Sequence, residues 1–148
     1  MLAKSLVIFI CVGVLAGFLY GLYLFDLKNP GHLVYVDGSS ISIVTEKSDF
    51  KKGEEIKIRI VNSGTTPLTF SDTSYGLQVT GLSGVLMYSP TSVQVISKLE
   101  PQQEIEFVWD QVKNNGDPAL EGLYKIRVAG LDDQQNKVEK SITINIWK

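Results

Sequence analysis

The sequence predicts an all-β domain, a β-sandwich, carried behind one N-terminal transmembrane α-helix. Three observations predict it. Residues Ser5 to Phe25 form an uncharged apolar run between Lys4 and Asp26. Beyond Gly31 apolar and polar residues alternate in pairs, the period of half-buried strands. Clusters of Gly, Pro, Asn and Ser punctuate those runs, and no segment past residue 30 carries a helical period.

The 148 residues leave room for about one domain behind the helix. The expected division is 1–4 as a cytoplasmic N-terminus, 5–25 as the membrane helix, 26–38 as a stalk and 39–148 as the β-sandwich. The apolar run of 21 residues would reach roughly 31 Å at about 1.5 Å per residue, which matches a hydrocarbon core of about 30 Å. Tyr20, Tyr23 and Phe25 cluster at its C-terminal end, where amphipathic rings favour the headgroup layer. A cleaved signal peptide would have a shorter apolar region and a small-x-small site. Phe25-Asp26-Leu27-Lys28-Asn29-Pro30 offers no such pair, so an uncleaved signal anchor is expected. Ile10 before Cys11 does not suit a lipoprotein signal. Lys4 and the amino terminus on one side, with Asp26 beside Lys28 on the other, favour the N-terminus inside. The β-domain would then be extracytoplasmic at the cell membrane.

Gly13, Gly17 and Gly21 recur every fourth residue, with Ala16 adjacent. Such a spacing clears one helix face and lets a second helix approach closely. The expected partners are membrane lipid and either other transmembrane subunits or a second copy of this chain.

The strands read in order. Asn29-Pro30-Gly31 breaks the helix. Ile41 and Ile43 begin the first strand. Ile56, Ile58 and Ile60 alternate with Lys57, Arg59 and Val61 in the next. Further strands are expected at Leu68–Phe70, around Leu77 and Val79, at 85–88, at Val93-Gln94-Val95-Ile96 and around Ile105 and Phe107 up to Trp109. The last two alternate through Tyr124, Ile126 and Val128, and through Val138, Ile142, Ile144 and Ile146. Eight or nine short strands with frequent turns suit a sandwich.

A set of motifs runs through the same region. Phe50 and Gly53-Glu54-Glu55 precede Val61-Asn62-Ser63-Gly64, Pro67-Leu68 and Phe70. Tyr75-Gly76-Leu77-Gln78-Val79, Gly81-Leu82, Gly84 and Tyr88-Ser89-Pro90 follow. Leu99, Pro101, Phe107, Trp109-Asp110-Gln111 and Gly122-x-Tyr124 complete the order. Over about residues 50–130 this order resembles the BsuPI family, named for an intracellular proteinase inhibitor. The resemblance implies an immunoglobulin-like sandwich. Its motifs are mainly structural, and the membrane helix departs from the cytosolic pattern of that family.

The sequence holds few residues suited to catalysis or metal binding. There is one histidine, His32 in the stalk, and one cysteine, Cys11 in the helix. A nucleophilic triad, a zinc site or a blue-copper site needs more His and Cys than that. With 14 basic and 16 acidic residues, the chain lacks the basic footprint of a nucleic-acid binder. Asp132, Asp133 and Asn136 lack the spacing of a calcium loop and read as a turn. Glu54 and Glu55 read as a solvated edge. Trp109 is either a core residue or an interface anchor; Trp147, near the chain end, covers an edge of the sandwich or meets a partner.

The expectation is therefore a non-enzyme with no cofactor, no metal and no small-molecule substrate. It would serve as an accessory subunit of a membrane complex, or as a tethered binding module or proteinase inhibitor. The excess of Lys over Arg and the disulfide-free anchored sandwich resemble small extracytoplasmic proteins of archaea. Among these are accessory subunits of ammonia-monooxygenase-like enzymes and stator proteins of motility filaments.

Overall fold

The structure, a computed structural model, describes residues 2–28 and 33–148. They form two compact units, one helical and one of β-strands, divided between Pro30 and Gly31.

The first unit is a single helix, α1 (Leu2–Lys28), which extends the apolar run by about one turn at each end. Its stretch Leu6–Phe25 is long and apolar enough to cross a membrane. The side chains of this stretch are exposed, for example Phe9 at 76% and Phe18 at 66%. A helix that is apolar all round in this way needs a non-aqueous surround.

In the second unit, β1 (Ile41–Thr45), β3 (Ile56–Asn62) and β8 (Glu104–Trp109) form a three-stranded antiparallel sheet in the order β1-β3-β8. The alternation of β3 works as the sequence implies. Ile56, Ile58 and Ile60 are fully buried, while Lys57 stays outside. Val61 departs from it, since it too is buried.

The second sheet is larger. Its spine is β9 (Gly122–Leu131) paired antiparallel along its length with β10 (Lys137–Trp147). On the far side of β10, β2 (Asp49–Lys51) adds in parallel, Ile146 opposite Phe50. On the other side of β9 lie β4 (Leu68–Phe70) and β5 (Gln78–Gly81) in sequence along one edge, Thr69 opposite Leu131 and Gly81 opposite Tyr124. β7 (Ser97–Leu99) continues the sheet from β4, and β6 (Leu86–Tyr88) from β5. The inward residues of both sheets share one core, which includes Ile58, Trp109, Leu68, Val79, Ile126 and Ile144.

Two details explain the path. After β1 the chain leaves the smaller sheet, and β2 joins the larger one; Thr45 Oγ1 donates to the Lys47 carbonyl at 2.8 Å in the link. Between β4 and β5 the chain loops out and returns to the same edge at Gly76. A Cβ there would stand 2.2 Å from the Ala129 carbonyl oxygen, and φ is +67°. Glycine alone tolerates both conditions.

The strands differ from the expected ones in three places. Val93–Ile96 is not a strand. Val93 exchanges hydrogen bonds with Thr73, and the Val95 N–H turns back onto the Val93 carbonyl at 2.8 Å. That contact curls the backbone before β7, leaving Val93, Val95 and Ile96 exposed. Second, β2 was not expected, because one buried residue, Phe50, gives no alternation to read. Third, β7 (Ser97–Leu99) was also not expected, so with β2 gained and Val93–Ile96 lost the described residues hold ten strands rather than eight or nine; β9 and β10 are the longest, at 10 and 11 residues.

Candidate interaction surfaces

The glycines of α1 lie on one helical face by their fourfold spacing. A Cβ built on Gly13, Gly17 or Gly21 would meet nothing within 4 Å. The face is smooth and open. Cys11, on the same helix, is exposed.

Trp109 requires a correction to its interface reading. It ends β8 on the inward face and is fully buried. Its ring stacks on Tyr88 and meets Tyr124 edge-on, both at 5.8 Å between centroids. Its indole N–H donates to the Val112 carbonyl at 2.9 Å, and the Asp110 carboxylate caps the turn by accepting the Val112 N–H. The alternation Phe107-x-Trp109 already placed this ring with the core residues. Trp147 differs: it is 50% exposed beyond the buried Ile146.

Tyr124 has a specific job. Its hydroxyl donates to the carbonyl of Leu120, four residues upstream, at 2.7 Å. The bond ties the chain into β9 and explains why the Gly122-x-Tyr124 motif stands there. Tyr124→Phe should lower the unfolding free energy by about 1 kcal/mol, the net value of one hydrogen bond whose exposed acceptor can turn to water. Urea unfolding followed by circular dichroism measures it; an unchanged midpoint would show that the bond contributes nothing in solution.

A hydroxyl clasp not foreseen from the sequence fixes the segment before β1. Ser40 and Ser42 share hydrogen bonds with Ser63, and Ser39 bonds Thr66 and Asp132. Thr65 donates to Asp37. The crowding of Ser and Thr at 39–42 and 63–66 was its only signal.

Asp132 is buried within its turn. It accepts the N–H groups of Asn136 and Gln134, the Asn136 amide and the Ser39 hydroxyl. These donors, the Asn136 backbone first, hold its carboxyl below the usual range. Its oxygens are thus committed to the loop, as a turn requires. Glu54 pairs with Lys47 at 2.6 Å and accepts the Lys51 N–H. Among the described residues no three His, Cys, Asp or Glu side chains gather as a metal site. His32 lies outside the described residues. An open groove of about 570 Å³, lined by Phe70, Ile96, Ala129 and Leu131, marks one end of the larger sheet.

No protein-family model matches the chain, and no curated protein matches it by sequence. Among solved structures it is similar to Spo0M, a sporulation control protein from Bacillus subtilis, with a TM-score of 0.43 and 12% identity. The match covers 76% of this chain and 51% of that one, so this chain spans about half the length of that protein.

Proposed function

We propose that the chain is a single-pass membrane protein with an extracytoplasmic immunoglobulin-like domain. In this reading it acts as a non-catalytic accessory subunit that binds or braces partner subunits. The observation that carries the reading is the exterior of α1: an uncharged stretch, Leu6–Phe25, with exposed apolar side chains and an open glycine ridge. Apolar side chains supply the affinity for lipid, and the ridge supplies a seat for another helix.

The immunoglobulin-like assignment draws support from connectivity. A first strand divided between two sheets, the order β1-β3-β8 in one and β2-β10-β9-β4 in the other, and a strand interrupted between β4 and β5 suit that topology. The Tyr124 hydroxyl bond has the form of a tyrosine corner at the start of the penultimate strand. The disulfide of antibody domains is absent from the sequence, because the chain has one cysteine. The non-catalytic assignment rests on the poverty of His and Cys and on Asp132 and Glu54 being held by neighbours.

Alkaline extraction of membranes, then gentle detergent purification with intact-mass measurement, tests the reading. The chain should resist extraction, retain the mass of α1 and co-purify with defined membrane chains or a second copy of itself. A soluble species shorter by the length of α1 would refute the anchor. An intact, anchored, solitary chain would instead support a tethered binding module of the BsuPI type.

A further inference from the structure

The alternation that buries one face of the larger sheet fixes what lies on the other. Phe50, Ile126, Val128 and Ile144 point inward, so Lys51, Lys125, Arg127 and Lys137 stand on the outer side by register. Lys98 joins them through its pairing with Thr69, itself opposite Leu131. Against these five basic side chains the same face carries two acidic ones, Asp49 and Glu139. Glu139 is already engaged by Arg127, at 2.6 Å, and by Lys137. Among the described residues, Lys51, Lys98 and Lys125 have no carboxylate partner. The face is therefore basic on a chain whose net charge is −2. The outer side of the smaller sheet is not: there Lys57 and Arg59 are balanced by Glu104 and Glu106.

Exposed apolar residues share the basic face. Leu123 stands opposite Asn145, which makes it the diagonal neighbour of Trp147. These two are about half exposed, and Leu86 and Leu131 are also exposed. Leu131 lies at one end of β9 and Leu123 at the other. The arrangement is an amphipathic surface: apolar groups at both ends, cations between them, one indole at the margin.

We propose that this face binds an anionic lipid surface. The inference rests on the membrane-anchor reading, which keeps a bilayer at high effective concentration beside the domain. Each part of the face has a use there. Lysines reach headgroup phosphates with their stems along the apolar surface, an indole favours the interface, and each cation adds attraction to a negative leaflet.

Trp147 is a built-in reporter, because Trp109 is fully buried and α1 contains no tryptophan. The full chain is reconstituted in nanodiscs of phosphatidylcholine alone, or of phosphatidylcholine and phosphatidylglycerol in equal parts. Quenching by neutral acrylamide is then measured, with Trp147→Phe as the baseline. In anionic discs the quenching constant should fall by about twofold or more, given the strength of lysine attraction to a charged leaflet. High salt and the double variant Lys51→Glu/Lys125→Glu should restore it. Both lysines are exposed, so the variant should keep its circular dichroism spectrum. Equal quenching in the two discs, from a chain incorporated in both, overturns the lipid face and leaves the anchor standing. Protection seen only with a co-purifying protein also overturns it and gives the face to that partner. Failure to incorporate in either disc overturns the anchor, and the lipid face with it.

Discussion

Trp109→Ala should destabilise the β-domain by about 3–5 kcal/mol, the usual cost of removing a buried large aromatic. Three terms act in the same direction. The indole is fully buried where the two sheets meet, so its loss leaves a cavity that strands on both sides cannot easily close. It takes part in a stacked pair with Tyr88 and an edge pair with Tyr124, contacts worth about 0.5–1.5 kcal/mol each beyond burial. It also satisfies the Val112 carbonyl. Because Tyr88 and Tyr124 belong to the larger sheet and Trp109 to the smaller, the variant should loosen the joint between sheets. Urea unfolding monitored by far-ultraviolet circular dichroism gives the measurement. Trp109→Phe, which keeps a ring but not the N–H, should cost clearly less. A loss below about 1 kcal/mol for the alanine variant would contradict the burial of this side chain.

What the sequence disclosed follows the length of each periodic run. Ile56-x-Ile58-x-Ile60 and the alternations of β9 and β10 are long enough to fix both strand and face, and there the burial follows the alternation except at Val61 and in the first half of β10, where Val138 and Ile142 are half-buried and Lys140 is exposed. Short elements were harder to read. β2 exists because β10, distant in sequence, offers it a parallel edge, and three residues cannot announce such a partner. Val93–Ile96 has the composition of a strand, yet its hydrogen bonds go to Thr73 and back to its own carbonyl. Local β-propensity yields to tertiary context at such places. The candidate surfaces divide the same way. The helix glycines were visible from spacing alone. The basic face was not, since Lys51, Lys98 and Lys125 come together only when the register of five strands is known.

The second large effect is expected in α1, on the proposal that it anchors the chain in a membrane. Gly17 is the middle glycine of the ridge, and a Cβ added there touches nothing in its own chain. Gly17→Leu should therefore leave α1 intact, and it gains in helix propensity by about 0.8 kcal/mol. Insertion should also persist, because leucine suits hydrocarbon at least as well as glycine. The β-domain is unaltered in sequence. What changes is the approach of another backbone: four side-chain carbons now fill the groove on which close packing depends. Partner recovery from gently solubilised membranes should fall about tenfold or more, since a loss of only ~1.4 kcal/mol in association suffices for that. The variant chain itself should stay in the membrane at the parental level. Leu19→Ala, on the opposite face and 58% exposed in the parent, is the control and should change recovery little. Quantitative mass spectrometry of the co-purified chains supplies both ratios. If Gly17→Leu retains the same partners in the same proportion, the glycine face meets lipid, and the helix serves as a tether for the domain rather than as a seat for another subunit.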